Sequence, residues 1–385
     1  MSRVLYVTFG ERAVDGLVVS QVQAMIRRRA EMGDHVTWVA FIPAHRFLEG
    51  LDIGVGEPFE YVPFPVPVRN LWVAPWYLRA LAGGEIARRL LIHRGPWDVV
   101  HCRSYPAALW AMTNLREADA SKFVFDPRGV YPEESAISGP SAKNPTFAAR
   151  WSAVEIELLN RADTVICVSE RMREHFEQVR PGVSVKAVVV PCSGGNRQYD
   201  SARHSTREID GLRACFLGSI GTWTGLDDIV NSVIRLDRIQ PVRRLTVFGH
   251  CDVRALRAKL SGSMLGRVVV SSKAMPQREV FSALAGQDVG LLPRSPGLVN
   301  EVSWPAKLSE YLLAGLPVVT NLRDSNIGDV LARHKALILE GANAVHGLES
   351  VSVGDARART RRAQLAYGTM SLEAVSSRMG DAWKA

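Results

Sequence analysis

The sequence predicts an α/β protein built as two doubly wound domains, and three observations predict it. A length of 385 residues at 47% apolar composition suits two cores better than one. Short β-branched runs alternate with longer amphipathic stretches, the pattern of βαβ units around a parallel sheet. That alternation stops once, in the polar, glycine-containing stretch Ser193 to Arg213, and then resumes. The interdomain linker is expected there, between domains at 1–195 and 207–366.

In the first half the expected strands are Val4 to Phe9, Val36 to Phe41, Tyr61 to Val62, Val99 to His101, Phe123 to Asp126, Thr164 to Val168 and Val185 to Val190. Between the first two lies Ser20 to Met32, with Val22, Met25, Ile26 and Ala30 at helical spacing and Gly33 as its stop signal. The second half repeats the pattern with Arg213 to Leu217, Arg244 to Phe248, Val268 to Ser271, Val289 to Leu292, Val318 to Thr320 and Ala336 to Leu339. Two Rossmann-like domains facing a central cleft follow, with chemistry expected at the carboxyl ends of the strands. A closing segment, 367–385 with a helix from Ser371 to Trp383, can cross back to the first domain. Its sequence neither requires nor excludes this.

Cys102, Cys167, Cys192, Cys215 and Cys251 form no Cys-x-x-Cys pair and sit mostly in apolar runs, so neither disulfides nor a metal centre is expected. The apolar start breaks at Gly10-Glu11-Arg12 and lacks the layout of a signal peptide. No window has the roughly 18 uninterrupted apolar residues of a spanning helix, so a cytoplasmic protein, soluble or peripheral at the inner membrane face, is expected. The net charge of +8 should attract anions. Its clusters, Arg27 to Arg29, Arg88-Arg89, Arg243-Arg244 and Arg357 to Arg362, are read as solvated helix faces. Nucleic acid is not an expected partner, because no recognition-helix or aromatic RNA-platform motif accompanies the charge. Val68 to Arg79 interleaves Trp72, Trp76 and Tyr77 with arginine, which suits a membrane interface or a loop whose tryptophans pack inward.

The most informative segment is Pro305 to Pro317. Helical character from Pro305 to Ala314 runs through Gly315-Leu316-Pro317 into a strand, so the helix start faces the expected cleft. Lys307 stands in its first turn beside amides without intrahelical acceptors, a combination that suits a diphosphate. Glu310 follows one turn later on the same face, where a carboxylate can accept both hydroxyls of a ribose. A surface Lys and Glu stabilised by the helix dipole is the other reading of this spacing. The loop at Gly10 and Gly16-Leu17 is not a Gly-x-Gly-x-x-Gly fingerprint and no acidic residue ends the second strand, which argues against a dinucleotide dehydrogenase.

The segment resembles the nucleotide-binding motif of GT-B fold retaining glycosyltransferases of family 4, in the form Pro-x-Lys-x-x-Glu-Tyr-Leu-x-x-Gly-x-Pro-Val. Asp98 to Ser104, Phe125 to Gly129, Arg161 to Ser169, Phe216 to Ser219 and Trp223 to Leu226 fall in register with the same family. The resemblance implies that Glu310 binds the nucleotide ribose and Lys307 neutralises the pyrophosphate. It implies retention of anomeric configuration, with no cofactor and no metal ion. The sequence shows no Asp-x-Asp on a strand end, and Asp227-Asp228 reads as a helix start.

Three departures from that family matter. Ser219 and Thr224 stand where many relatives carry cations, which moves the pyrophosphate role to Lys307 and Arg294. Val302 stands where the donor-sugar carboxylate would be, leaving Glu301 or Asn300 beside it to reach the sugar. Asp126 and Arg128 follow the strand where many relatives carry a histidine; they hold an anion and a sugar hydroxyl, or pair with each other. Glu133 and Glu134 come next; they take the acceptor hydroxyl proton, with Glu134 preferred, or form the first turn of a helix. The candidate catalytic residues are thus Arg128, Asp126, Glu134 and Glu301. The candidate nucleotide-sugar-binding residues are Lys307, Glu310, Arg294, Ser219, Trp223, Leu308 and Gly16.

The expected activity is transfer of a sugar from a nucleoside-diphosphate sugar, uridine being the expected base, to a saccharide, lipid-linked or small-molecule acceptor. Cell-envelope polysaccharide or glycoconjugate synthesis is the expected setting. A non-catalytic sugar-nucleotide binder of the same fold and a tailoring enzyme for small molecules are the alternatives.

Overall fold

The computed structural model describes residues 1–51, 56–67, 88–89, 94–138, 142, 144–200, 211–221, 223–260, 268–273, 276–341 and 345–384. The chain forms two compact units, Met1–Pro191 with Val375–Ala385, and Cys192–Ala374.

The first unit is built on β1 (Arg3–Phe9), β2 (His35–Pro43), β3 (Glu60–Val66), β4 (Val99–Arg103), β5 (Phe123–Asp126), β6 (Thr164–Cys167) and β7 (Ala187–Val189). They lie in the order β3-β2-β1-β4-β5-β6-β7 and every pairing is parallel. β1 is buried from Val4 onward and β4 throughout, as in a sheet covered on both faces. β3 is longer than its apolar pattern predicts, because Pro63 and Pro65 lie on an edge strand where a missing N–H breaks no ladder. The first helix also starts early, at Gly16, and runs through a π-helical stretch at Val19–Gln23 into Ala24–Glu31. Val22, Met25 and Ile26 are buried, and Gly33 closes the turn at φ +100°.

The second unit is built on β8 (Leu212–Leu217), β9 (Val242–Phe248), β10 (Val269–Ser272), β11 (Val289–Leu291), β12 (Val318–Thr320), β13 (Leu337–Glu340) and β14 (Val345–His346). The order is β10-β9-β8-β11-β12-β13-β14, parallel except for the last pair. The two-residue β14 is too short to leave a periodic signal in the sequence.

Several expectations need correction. The stretch after Pro191 is not a free linker, because it packs on the second unit. Gly194 N–H donates to the Met370 carbonyl, Tyr199 N–H donates to the Leu313 carbonyl, and the Tyr199 ring is buried under Arg359 at 4.0 Å. The expected closing helix is present as Leu372–Lys384, after Ala356–Met370, and Val375 onward belongs to the first unit.

The arginine clusters are not all solvated faces either. Arg29 is buried, pairs with Asp34 and lies 5.2 Å from the Trp383 ring. Arg359 donates to the carbonyls of Ala314, Gln287 and Leu284, and Arg362 to those of Gly315 and Val351. Ala314 is the C-cap of the helix Ala306–Leu313, where a carbonyl has no intrahelical donor, and Arg359 satisfies it. Burial pushes both arginines down to about 10, which leaves them charged at neutral pH. The aromatic-arginine stretch Val68 to Arg79 lies outside the described residues. Among the described residues, no helix is long and apolar enough to cross a membrane.

Candidate functional site

In the second unit the segment singled out in the sequence forms the helix Ala306–Leu313, entered from Pro305 without a side-chain cap. Three contacts fix its pose. The Tyr311 hydroxyl accepts the Leu217 N–H at 2.8 Å and donates to the Leu291 carbonyl at 3.3 Å, tying the helix to the ends of β8 and β11. Gly290 leaves room for this ring, since a Cβ there would come within 3.0 Å of it. Ser309 Oγ donates to the Cys192 carbonyl at 2.6 Å and accepts from Trp304 Nε1 at 2.8 Å. Arg359 and Arg362 hold the carbonyls of Ala314 and Gly315 at the far end.

So held, the helix aims Lys307 at the carboxyl end of β8. Its Nζ lies 4.1 Å from the centre of the Phe216 ring, and a Cβ on Gly218 would stand 3.1 Å from it. Gly218 has φ +104°, open to glycine at no steric cost, and a Cβ on Gly249, just past β9, would collide with its carbonyl. Burial, helped by the nearby Arg294 and opposed by Glu310, pushes the Lys307 ammonium down to about 7. Glu310 is itself 8% exposed.

Arg294, just past β11, is the second cation. Its Nη1 donates to Asn300 Oδ1 at 2.8 Å, while its buried Nε has no hydrogen-bond partner among the described residues. Burial lowers it to about 10. Its backbone is fixed by Asn321, whose amide side chain accepts from Arg294 N at 2.9 Å and donates to Arg294 O at 2.8 Å. Two cations, of which Arg294 lowers the charge preference of Lys307 and has a buried N–H that makes no hydrogen bond among the described residues, suit an anion.

The other candidates of this unit divide. Ser219 is exposed and Trp223 partly buried on the loop after β8. Thr224 is buried and donates to the Pro293 carbonyl at 2.9 Å, a structural tie in the place of a cation. Leu308 was expected at the ligand, but its side chain is fully buried in the core and its N–H donates to the Pro305 carbonyl at 2.9 Å. It is a packing residue, because the helix turns that face inward. Asn300 is buried as the partner of Arg294, which leaves Glu301 as the exposed member of its pair. Asp228 caps Gly225 N–H at 2.7 Å and Asp227 pairs with Lys259 at 2.6 Å.

In the first unit, Asp126 ends β5 fully buried. Its Oδ2 lies 3.3 Å from His101 Nε2 and its Oδ1 3.5 Å from Arg128 Nη1. Burial alone would raise this carboxyl, but Arg128, His101 and Arg103 together hold it below its ordinary value. Arg103 is held by both oxygens of Glu11, at 3.0 and 3.1 Å. The Asp126–Arg128 pair is thus present, and it forms part of a larger cluster. Arg128 has φ +63° and Ser104, at the end of β4, has φ +80°, two strained non-glycine residues on adjoining strand ends.

Glu134, in the helix Tyr131–Ile137, folds back over Gly129, where a Cβ would collide with it. Burial, then Glu133, push it up to about 7 against the Val130 N–H. Tyr105 donates to Glu155, which burial raises to about 7 as well. Gly16 opens the first helix with no atom within 4 Å of where a Cβ would be, so the described fold does not itself require glycine there. Sequence reasoning missed Tyr311, His101 and Trp383, all of them aromatic residues whose long-range partners leave no local pattern. Among the described residues no group of three His, Cys, Asp or Glu side chains is placed to hold a metal ion.

The fold is the two-domain GT-B fold. Residues 18–193 match the family described as Glycosyltransferase Family 4. The chain is similar in structure to a sucrose-phosphate synthase from Thermosynechococcus elongatus, with TM-score 0.69 and 14% identity over 100% of this chain and 98% of that one. It is also similar to a glycosyltransferase from Rickettsia africae, with TM-score 0.68 and 12% identity over 100% and 98% of the two chains. A UDP-forming alpha,alpha-trehalose-phosphate synthase from Burkholderia vietnamiensis follows, with TM-score 0.64 and 10% identity over 100% of both. No curated protein matches the chain in sequence. Family match and fold together support glycosyl transfer as the chemistry.

Proposed function

We propose that the protein is a retaining glycosyltransferase that moves a sugar from a nucleoside-diphosphate sugar, with uridine as the base, to a hydroxyl of a saccharide acceptor. Cell-envelope polysaccharide or glycoconjugate synthesis is the setting this reading favours. One observation carries it: at a helix start Lys307 stands beside Gly218 within electrostatic reach of Arg294 and Glu310. In this reading Lys307 and Arg294 stabilise the leaving diphosphate, Glu310 binds the ribose, and no metal is needed. Ser219 and Trp223 sit on the loop that flanks the nucleotide. On the acceptor side Asp126 orients a hydroxyl, Arg128 sets its field, and Glu134 is a candidate proton acceptor. Glu301 is exposed and is proposed to meet the donor sugar.

A thermal-shift screen of nucleoside diphosphates and their sugars tests the reading. UDP or a UDP-sugar should raise the melting temperature of the wild type but not of Glu310→Ala or Lys307→Ala. A wild type that ignores every nucleotide refutes it. The absence of cations at 219 and 224 favours one alternative, a binder without chemistry. Hydrolysis of the stabilising UDP-sugar, or its transfer to a cell-envelope extract, would eliminate that alternative.

A further inference from the structure

Behind Asp126 lies a buried relay that the reaction scheme above does not use. The Trp383 indole Nε1 is 3.0 Å from His101 Nδ1, and His101 Nε2 faces Asp126 Oδ2. Trp383 is 3% exposed, and His101 and Asp126 are fully buried. An indole nitrogen can only donate, so His101 Nδ1 must be the acceptor and carry no proton. The proton of the neutral ring is therefore on Nε2, where it donates to Asp126. The Tyr6 ring stacks on His101 at 4.3 Å with an interplanar angle of 13°, which keeps the imidazole from turning over. On Asp126, Oδ2 is thereby committed, while the buried Oδ1 makes no hydrogen bond among the described residues and lies 3.5 Å from Arg128 Nη1.

We propose that Trp383 is a positioning residue: its N–H locks His101 as the neutral Nε2-protonated tautomer, which commits Oδ2 of Asp126 and leaves Oδ1, beside Arg128, to carry the carboxylate's part in acceptor positioning. The kinetic part of this inference rests on the acceptor-side role given to Asp126; the tautomer lock does not. Protonating His101 would set an Nδ1–H against the Trp383 N–H, two donors facing each other in a dry site. The groups facing the ring are Tyr6 from β1, Arg103 from β4, Asp126 and Arg128 at the end of β5, and Trp383 with Arg29 stacked on it. Burial, with Arg103 and Arg128, lowers the basicity of His101, and Asp126 opposes them.

The test uses the full chain with 15N,13C-labelled histidine, the His101 signals being assigned by their loss in His101→Gln. The expected wild-type signature is the Nε2–H tautomer, without titration between about pH 5 and 8. In Trp383→Phe the ring packing persists and the donor is gone. His101 should then show mixed tautomers and begin to titrate within that range. Benzothienylalanine at position 383, which keeps the indole shape and loses only the N–H, gives the same readout should phenylalanine unsettle the fold. An unchanged His101 signature in both variants overturns the lock. Turnover of the stabilising UDP-sugar should fall at least about tenfold with an unchanged donor KM, and the pH profile should gain an acid limb. A switched tautomer with unchanged turnover, in a protein whose Asp126→Asn variant is also fully active, overturns the role of Asp126 and leaves the lock standing.

Discussion

Nucleotide binding should be coupled to uptake of a proton by Lys307. Burial and Arg294 hold this ammonium down to about 7, and Glu310 offsets them only in part. A bound diphosphate places negative charge against Nζ and restores its preference for the charged form. Below about pH 7 the lysine is already protonated and pH matters little. Above it, each complex must take up a proton, so the affinity for UDP should weaken toward tenfold per pH unit, about 1.4 kcal/mol. Between pH 7 and 9 the loss should reach roughly fiftyfold. The second ionisation of a phosphate, near pH 6, is complete by then and cannot be the source. Titration calorimetry of UDP at pH 8, in two buffers of different ionisation enthalpy, should find about 0.9 proton taken up. Lys307→Arg should abolish the slope, because a guanidinium stays charged throughout. A flat wild-type profile, or a slope that survives in Lys307→Arg, refutes the reasoning.

Other perturbations follow from the same geometry. Tyr311→Phe strips the Leu217 amide and the Leu291 carbonyl of their shared hydroxyl, so urea unfolding should show a loss of about 1–3 kcal/mol, with weaker UDP binding. Gly315→Ala forces a Cβ onto the Arg359 carbonyl at φ +66° and should cost more than about 1 kcal/mol in urea unfolding, whereas Gly16→Ala, with nothing within 4 Å, should be close to neutral. Glu134 is raised from 4.5 to about 7, so the folded state holds a proton that the unfolded state releases, and stability falls as pH rises through that window. Glu134→Gln should therefore gain on the wild type from about pH 5 to 7 and hold a constant lead above it, as read by melting temperature across pH.

Both sheets and the nucleotide helix were legible because their signals are local. Strand alternation has a period of two residues, and Lys307 and Glu310 lie one helical turn apart. What the sequence hid was settled by distant partners. Arg359 and Arg362 read as a charged helix face, yet their acceptors at Ala314 and Gly315 lie 45 and 47 residues away. Leu308 shares a motif with Lys307, but the helix turns it into the core. Trp383 meets His101 across 282 residues, and no periodicity reports such a pairing.

The departures at 219 and 224 also take on a physical meaning. A lysine at 224 would have to leave the buried position where Thr224 donates to the Pro293 carbonyl. That bond, with Ser295 N–H on the Trp223 carbonyl at 3.4 Å, stitches the loop after β8 to the loop after β11. The second loop carries Arg294, whose own backbone is clamped by Asn321. The threonine thus removes one cation and helps fix the backbone of another. In the proposed reading, a guanidinium held through Nη1 by Asn300 on a clamped backbone anchors a diphosphate at a smaller loss of side-chain freedom than a flexible lysine on an exposed loop. On that reading the site exchanges the number of its charges for the rigidity of those that remain.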